Sequence, residues 1–212
     1  MKTRSKALLL TLCAVLLVTA SVLGTMAYLT SQDTVTNTFT VGSVKITLDE
    51  AKANPDGSLV ANADRVKANS YKLLPGHEYT KDPIIHVDAT SEDCYLFVKV
   101  DNQIAAIEAT NATVASQMAA KGWVAVDGQT GVYVYVGTAE DASAPLAVSA
   151  NDNITVFEKI AIDGSVDNDT LATYKDKTIT VTAYAVQKDG FEGKTAAEIW
   201  TAAGFSTTTT GA

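Results

Sequence analysis

The chain has 212 residues, a formal net charge of −8, 47% hydrophobic residues and only two cysteines. Its acidic balance disfavours nucleic acid and anionic lipid as partners, because both carry the same sign of charge. Two cysteines, one of them inside an N-terminal apolar run, exclude a disulfide framework, so stability must come from the hydrophobic core.

Residues 1–27 have the pattern of a cleavable secretory signal peptide. Basic residues precede an apolar run from Ala7 to Leu23, and Gly24-Thr25-Met26-Ala27 follows it. The small residues at the end of this tetrapeptide predict a cut between Ala27 and Tyr28. The alternative is an uncleaved anchor, but this run of 17 residues, interrupted only by Thr11, Thr19 and Ser21, is at the short end of what spans a bilayer, about 17–25. Cleavage leaves 185 residues with 13 basic and 24 acidic side chains, a net charge of −11.

The segment from Tyr28 to Val41 has the composition of a β-strand. It lacks proline and glycine, is rich in threonine, and places Val35, Phe39 and Val41 on one side. Once freed by cleavage, such a segment can pair with its own domain or add a strand to a neighbour's sheet. The residues alone leave both alternatives open.

A change of parity follows at Gly42. Val44, Ile46 and Leu48 are even-numbered, whereas the apolar residues before the glycine are odd-numbered. Because strand alternation has a period of two, this flip predicts a bulge or hinge at Gly42.

The rest of the chain alternates in short runs joined by polar turns, which predicts an all-β sandwich of jelly-roll type. Two short helices are expected in the connections, at Ala112–Lys121 and at Thr195–Ala203, where Thr195 and Glu198 have capping-box spacing. The polar stretch Asp49–Asn69 is expected to be a long excursion. We predict four segments: a signal peptide (1–27), an N-terminal strand segment (28–41), a β-sandwich domain (42–206) and a polar tail (207–212). The further predicted strands are Ile84–Val87, Cys94–Val100, Trp123–Val126, Val132–Val136, Ile154–Ile162 and Thr178–Val186.

The chemistry-bearing residues do not form a catalytic pattern. His77 and His86 are nine residues apart, without the helical His pair and carboxylate of zinc hydrolases. Cys94 opens an apolar strand and is expected to be a buried, inert thiol. The acidic cluster Asp163–Asp169 could bind a structural calcium ion through its oxygens, although most such clusters are solvated turns. We therefore expect a non-enzymatic protein without a cofactor.

Several motifs, in order along the chain, resemble the TasA and camelysin group of secreted bacterial proteins. They are Gly24-Thr25-Met26-Ala27-Tyr28-Leu29-Thr30, Asn37-Thr38-Phe39-Thr40-Val41-Gly42-Ser43-Val44, Leu74-Pro75-Gly76 with Tyr79, Lys81, Asp82 and Pro83, Cys94-Tyr95-Leu96-Phe97-Val98-Lys99-Val100, Ala183-Tyr184-Ala185-Val186-Gln187 and Ala197-Glu198-Ile199-Trp200. The junction and the N-x-F-x-x-G run are the most specific of these, and the long polar excursion has no counterpart that we can match.

The resemblance implies a jelly-roll subunit of extracellular biofilm fibres, released by a SipW-type signal peptidase. Assembly would proceed by donor-strand exchange, with Val35, Phe39 and Val41 filling the next subunit's groove and Gly42 marking where the donor leaves its own domain. The expected partners are further copies of the chain, the peptidase and accessory matrix proteins, and membrane contact is expected only through the uncleaved signal peptide.

Two other functions stay open as alternatives. The camelysin label carries a metalloendopeptidase activity, for which this sequence lacks a ligand set. A monomeric secreted adhesin or binding module would rely on exposed aromatic residues such as Tyr133 and Tyr135.

Overall fold

The computed structural model describes residues 3–28, 42–139 and 143–205. The chain divides into two units, Met1–Val41 and Gly42–Ala212. The described part of the first unit is helix α1 (Thr3–Tyr28), rich in leucine and alanine, which favour helices. No helix in the described ranges is long and apolar enough to cross a membrane.

The second unit is mostly β with a few short helices, which confirms the β-rich part of the fold prediction. Its strands are β1 (Ile46–Asp49), β2 (Glu78–Thr80), β3 (Ile84–Val87), β4 (Cys94–Asn102), β5 (Trp123–Ala125), β6 (Val132–Tyr135), β7 (Ala147–Val148), β8 (Asn153–Thr155), β9 (Lys159–Ala161) and β10 (Ile179–Gln187). Its helices are α2 (Val114–Ala120), α3 (Asn168–Thr173) and α4 (Ala196–Ala202), with a 3-10 turn at Ala105–Ile107.

The strands form two sheets and a ribbon, in which every strand pair is antiparallel. The larger sheet has the order β10-β4-β6-β5, and β7 also pairs with β4. The smaller sheet has the order β1-β3-β8, and β2 pairs with β9 in a separate ribbon. The predicted hairpin is present as β5 and β6, with Trp123 opposite Tyr135.

Strand β4 lies at the centre because it is buried on both faces. Cys94, Leu96 and Val98 are fully buried in a cluster shared with Ile85 and Val87 of the smaller sheet. The alternate residues of β4 pack on the other face, in a second cluster with Ile199 and Trp200 of α4. The second unit is thus a sandwich-like pair of sheets with a helix on the outer face of the larger one.

Local capping explains where two of the short helices begin. At α4 the Thr195 side chain accepts from Glu198 N, and the Glu198 carboxylate accepts from Thr195 N, as the sequence predicts. At α2 the Thr113 hydroxyl accepts from Ser116 N. Satisfying these donors stabilises helices that are otherwise only two turns long.

The predicted strand Ile154–Ile162 is wrong in its continuity. The chain instead forms β8 and β9, and Val156 and Phe157 between them are fully buried. The break occurs because the chain crosses here from the smaller sheet to the ribbon. Because Val156 and Phe157 between the two strands are apolar, the sequence alone predicts one continuous strand.

The predicted polar excursion Asp49–Asn69 is part of a longer connection, because Asp49 is the last residue of β1 and β2 begins only at Glu78. We call this whole connection, residues 50–77, the excursion below. Its turn at Asn54–Ser58 requires Gly57, whose φ is +85° and whose missing Cβ would lie 2.6 Å from Tyr79 Cα. Tyr79 is fully buried, and its hydroxyl accepts from Leu74 N and donates to Lys72 O. The excursion is therefore an ordered, hydrogen-bonded structure.

Candidate functional site

The outer edge of β10 is the first part of the candidate site. At one end Lys188 N donates to Asp93 O (2.8 Å), and at the other Gln103 N donates to Thr178 O (3.1 Å). In an antiparallel pair bonded residues alternate, so the odd-numbered residues of β10 turn their N–H and C=O groups away from β4. Within the described ranges no strand pairs with this nine-residue edge.

The edge of β1 is the second part. Asp88 N donates to Lys45 O (3.0 Å), which places the outward backbone groups at Ile46 and Leu48. The Leu48 carbonyl accepts from Lys67 Nζ, and no described strand pairs with this side of β1. Cα atoms of β1 and β10 come within 8 Å of each other, so the two edges are neighbours.

Apolar side chains between these edges are only half-buried. Ile179, Val181, Ala183 and Ala185 of β10 pack against the first core cluster without being covered. The side chains of Ile46 and Leu48 in β1 also pack against this cluster and are half-buried. By contrast, Leu96 and Val98 of β4 are fully buried. A strand added here would gain backbone hydrogen bonds and cover apolar surface at once.

The excursion closes the far end of the β1 edge. Glu50 N donates to Val66 O (2.9 Å), and Val66 N donates to Glu50 O (2.7 Å). The neighbouring Arg65 guanidinium bonds the carboxylates of Asp49 and Asp82 and their backbone carbonyls. The accessible part of the β1 edge therefore ends near Leu48.

The carboxylate of Asp49 joins Arg65 to β3. Partial burial by itself raises the pKa of Asp49, but hydrogen bonds from Arg65 and His86, with their charges, outweigh burial and hold the pKa below its usual value. His86 Nε2 lies 2.9 Å from Asp49 Oδ1. Next to this group, Lys81 forms an ion pair with Glu50, which is 3% exposed.

The predicted donor and cleavage residues are only partly described. Ala27 and Tyr28 are the last two residues of α1. Val35, Phe39 and Val41 lie outside the described residues. Gly42 is exposed, precedes β1, and lies beside Glu92, whose Cγ would be 2.9 Å from a Cβ at this position. The hinge at Gly42 stays a prediction.

The two histidines have separate structural contacts. His77 Nε2 lies 2.6 Å from Asp56 O, whereas His86 contacts Asp49 and Asn153. Among the residues that the structure describes, no group of three or more His, Cys, Asp or Glu side chains could hold a metal ion. The two histidines thus each tie loops or strands together.

Two further titratable groups are buried in structural positions. Burial raises the pKa of the Cys94 thiol to about 11, assisted by the nearby Asp93 and Asp152, so the thiol stays protonated at neutral pH. Burial also raises the pKa of Glu108, against hydrogen bonds from Asn102 Nδ2 and Val114 N that favour its ionised form. Glu108 thereby joins the end of β4 to the start of α2.

The remaining sequence candidates are part of the fold. Asp163 accepts from the backbone and hydroxyl of Ser165, and Asp167 caps α3. Tyr133 and Tyr135 are half-buried against the first core cluster, and the Tyr135 ring packs 5.4 Å from Trp123. These tyrosines therefore do not form an exposed aromatic platform.

Sequence reasoning missed the residues that position the open edges. The alternation in β10 is visible in the sequence, but its place at a sheet edge is not, because pairing is a property of the tertiary structure. The clamp formed by Arg65 also had no local signal, since both of its carboxylate partners are 16 or 17 residues away.

In comparisons with known proteins, no family model, curated protein or solved structure matches the chain.

Proposed function

We propose that this chain is the precursor of a secreted structural subunit that assembles into extracellular matrix fibres. A SipW-type signal peptidase cuts after Ala27, and the freed segment from Tyr28 to Val41 completes the sheet of the next subunit. The protein is not an enzyme in this proposal, and its principal partner is another copy of itself.

The open edge of β10 carries the proposal. Among the residues that the structure describes, no strand pairs with this edge, and half-buried apolar side chains lie beside it, which is the surface that an added strand needs. The segment before Gly42 is free of proline and glycine and rich in β-branched residues, which is the composition such a strand needs. The resemblance to the TasA and camelysin group supports the same assignment.

The finer architecture belongs to the same proposal. In this proposal the two antiparallel sheets belong to a jelly roll, and Tyr28–Val41 is the strand that it lacks until another subunit supplies it. In the assembled fibre Val35, Phe39 and Val41 lie over the gap between β1 and β10. Each of these side chains that becomes fully buried there stabilises the contact between subunits by about 1.5–3 kcal/mol.

The geometry of exchange explains why fibres rather than closed dimers form. The donor segment and the acceptor edge are different surfaces of one chain, so the contact is heterologous, and two subunits joined by one contact still have one unused donor and one unused edge between them. Repetition of this contact gives an open filament.

Electron microscopy of protein beginning at Tyr28 tests the proposal. We expect regular thin filaments from this protein and folded monomers from a variant lacking Tyr28–Thr40. Phe39→Ser, on the apolar side of the segment, should also prevent assembly, whereas the neighbouring Thr38→Ser should not. Filaments from the deletion variant would refute donor-strand exchange, and equal assembly by both serine variants would remove Phe39 from the contact.

A further inference from the structure

A cavity of about 1050 Å³ lies at the end of the second unit where the excursion meets β10. One wall is formed by the end of β1 and residues 67–74, and the other by α3 and the start of β10. Its apolar floor includes Tyr79, Ile104, Ile160 and Leu171, each at most 9% exposed. Small-molecule sites commonly enclose about 300–1,000 Å³, so the cavity is large enough for a ligand.

Four exposed lysines surround this floor. Lys67, Lys72, Lys175 and Lys177 line the cavity, and Lys67 Nζ already donates to a backbone carbonyl. Across residues 42–139 and 143–205, the other three lysines take part in no ion pair. The cavity therefore combines an apolar floor with a cationic rim.

The carboxylates of the lining do not cancel this charge. Asp49 is paired with Arg65, and Glu50 with Lys81. That leaves exposed Asp176 as the one lining carboxylate with no ion pair among the described residues. Since the whole chain has a net charge of −8, a cationic cluster of this kind contrasts with the remainder of the protein.

We propose that this cavity binds a long-chain fatty acid in its ionised form. The alkyl chain covers the floor, and the carboxylate lies at the rim beside Lys175 and Lys177. A polyanion such as nucleic acid would leave the apolar floor uncovered, and a neutral lipid would leave the lysines without a partner. An anionic amphiphile satisfies both parts of the site. This proposal does not rest on fibre formation, but the cavity shares Leu48, Ile179 and Val181 with the gap between β1 and β10, so a bound fatty acid and an inserted donor strand would compete there.

Titration of the full chain with fluorescent cis-parinaric acid, displaced by palmitate, tests the assignment. We expect saturable one-to-one binding, with hexadecanol as a weak competitor because it lacks the charge. Lys175→Glu combined with Lys177→Glu should weaken palmitate binding by about tenfold. Ala172→Trp, which fills the cavity from α3, should abolish binding while circular dichroism reports an intact fold.

The matched control is Lys52→Glu combined with Lys194→Glu, which makes the same change in net charge at exposed lysines outside the cavity. This variant should bind palmitate like the wild type. Equal binding by both charge-reversed variants, or hexadecanol competing as well as palmitate, would overturn the proposal, since uptake would then depend on general apolar surface such as that of α1. Binding that arises only after deletion of residues 29–41 would also overturn it, by identifying the chain's own segment as the occupant.

Discussion

Asp49 holds the excursion to the smaller sheet through a single carboxylate. Its side chain accepts hydrogen bonds from Arg65 of the excursion and from His86 of β3. Arg65 in turn reaches Asp82, just before β3. These contacts fix where the β1 edge ends, and thus how much of it a partner strand can use.

The pKa of Asp49 makes this clamp dependent on pH. Because the folded-state pKa lies below the ordinary value of 3.8, the ionised carboxylate stabilises the folded state at neutral pH, and this stabilisation is lost as the pH falls through the folded-state pKa. We expect Asp49→Asn to lower the free energy of unfolding by about 1–3 kcal/mol at pH 7. The difference from the wild type should shrink at a pH well below 3.8.

Urea unfolding at the two pH values measures this effect. Asp64→Asn, at an exposed position of the excursion, serves as the control and should match the wild type at both. If Asp49→Asn lowers the free energy of unfolding by the same amount at neutral and acidic pH, the clamp does not depend on the charge of Asp49.

At the scale of elements, β10 has two backbone sides with different roles. Proline lacks the N–H donor and is tolerated in strands where that group would face away from the ladder. Ala183→Pro therefore removes an outward donor, whereas Thr182→Pro removes one that bonds β4.

We expect Ala183→Pro to remain folded and fail to form filaments. Thr182→Pro should lower the free energy of unfolding by about 1–3 kcal/mol, because the variant loses a backbone hydrogen bond between β10 and β4 in the larger sheet. Thermal unfolding combined with electron microscopy separates the two results. Normal filaments from a folded Ala183→Pro variant would exclude the β10 edge as the acceptor.

Helix α4 depends on its capping box as well as on its buried face. The substitution Thr195→Ala leaves the Glu198 backbone N–H without its side-chain acceptor. It should lower the free energy of unfolding by about 1 kcal/mol. Thr201→Ala, at the exposed end of the same helix, is the control. The midpoint of thermal unfolding should fall for the first variant and stay close to the wild type for the second.

At the scale of the whole molecule, charge opposes assembly. The chain that would remain after the proposed cut at Ala27 has a net charge of −11, so we expect its copies to repel each other at low ionic strength. Mildly acidic pH or added divalent cations should therefore accelerate filament formation, as followed by light scattering and electron microscopy. Rates that change with neither condition would mean that contacts other than net charge limit assembly.

Elements with local sequence signals could be predicted before the fold was known. Alternation placed β3 and β4, the turn between β5 and β6 predicted their hairpin, and the spacing of Thr195 and Glu198 predicted the start of α4. Strands β2 and β7 were missed because two or three residues are too few to show a period.

Three other features follow from the tertiary fold alone: which strand is an edge, where the excursion is clamped and where a cavity remains. These features depend on contacts between residues far apart in the chain, such as Arg65 with Asp82 or β10 with β4. Periodicity reports which face of a strand is apolar, but the neighbour that covers that face, or leaves it open, is set by how the sheets pack.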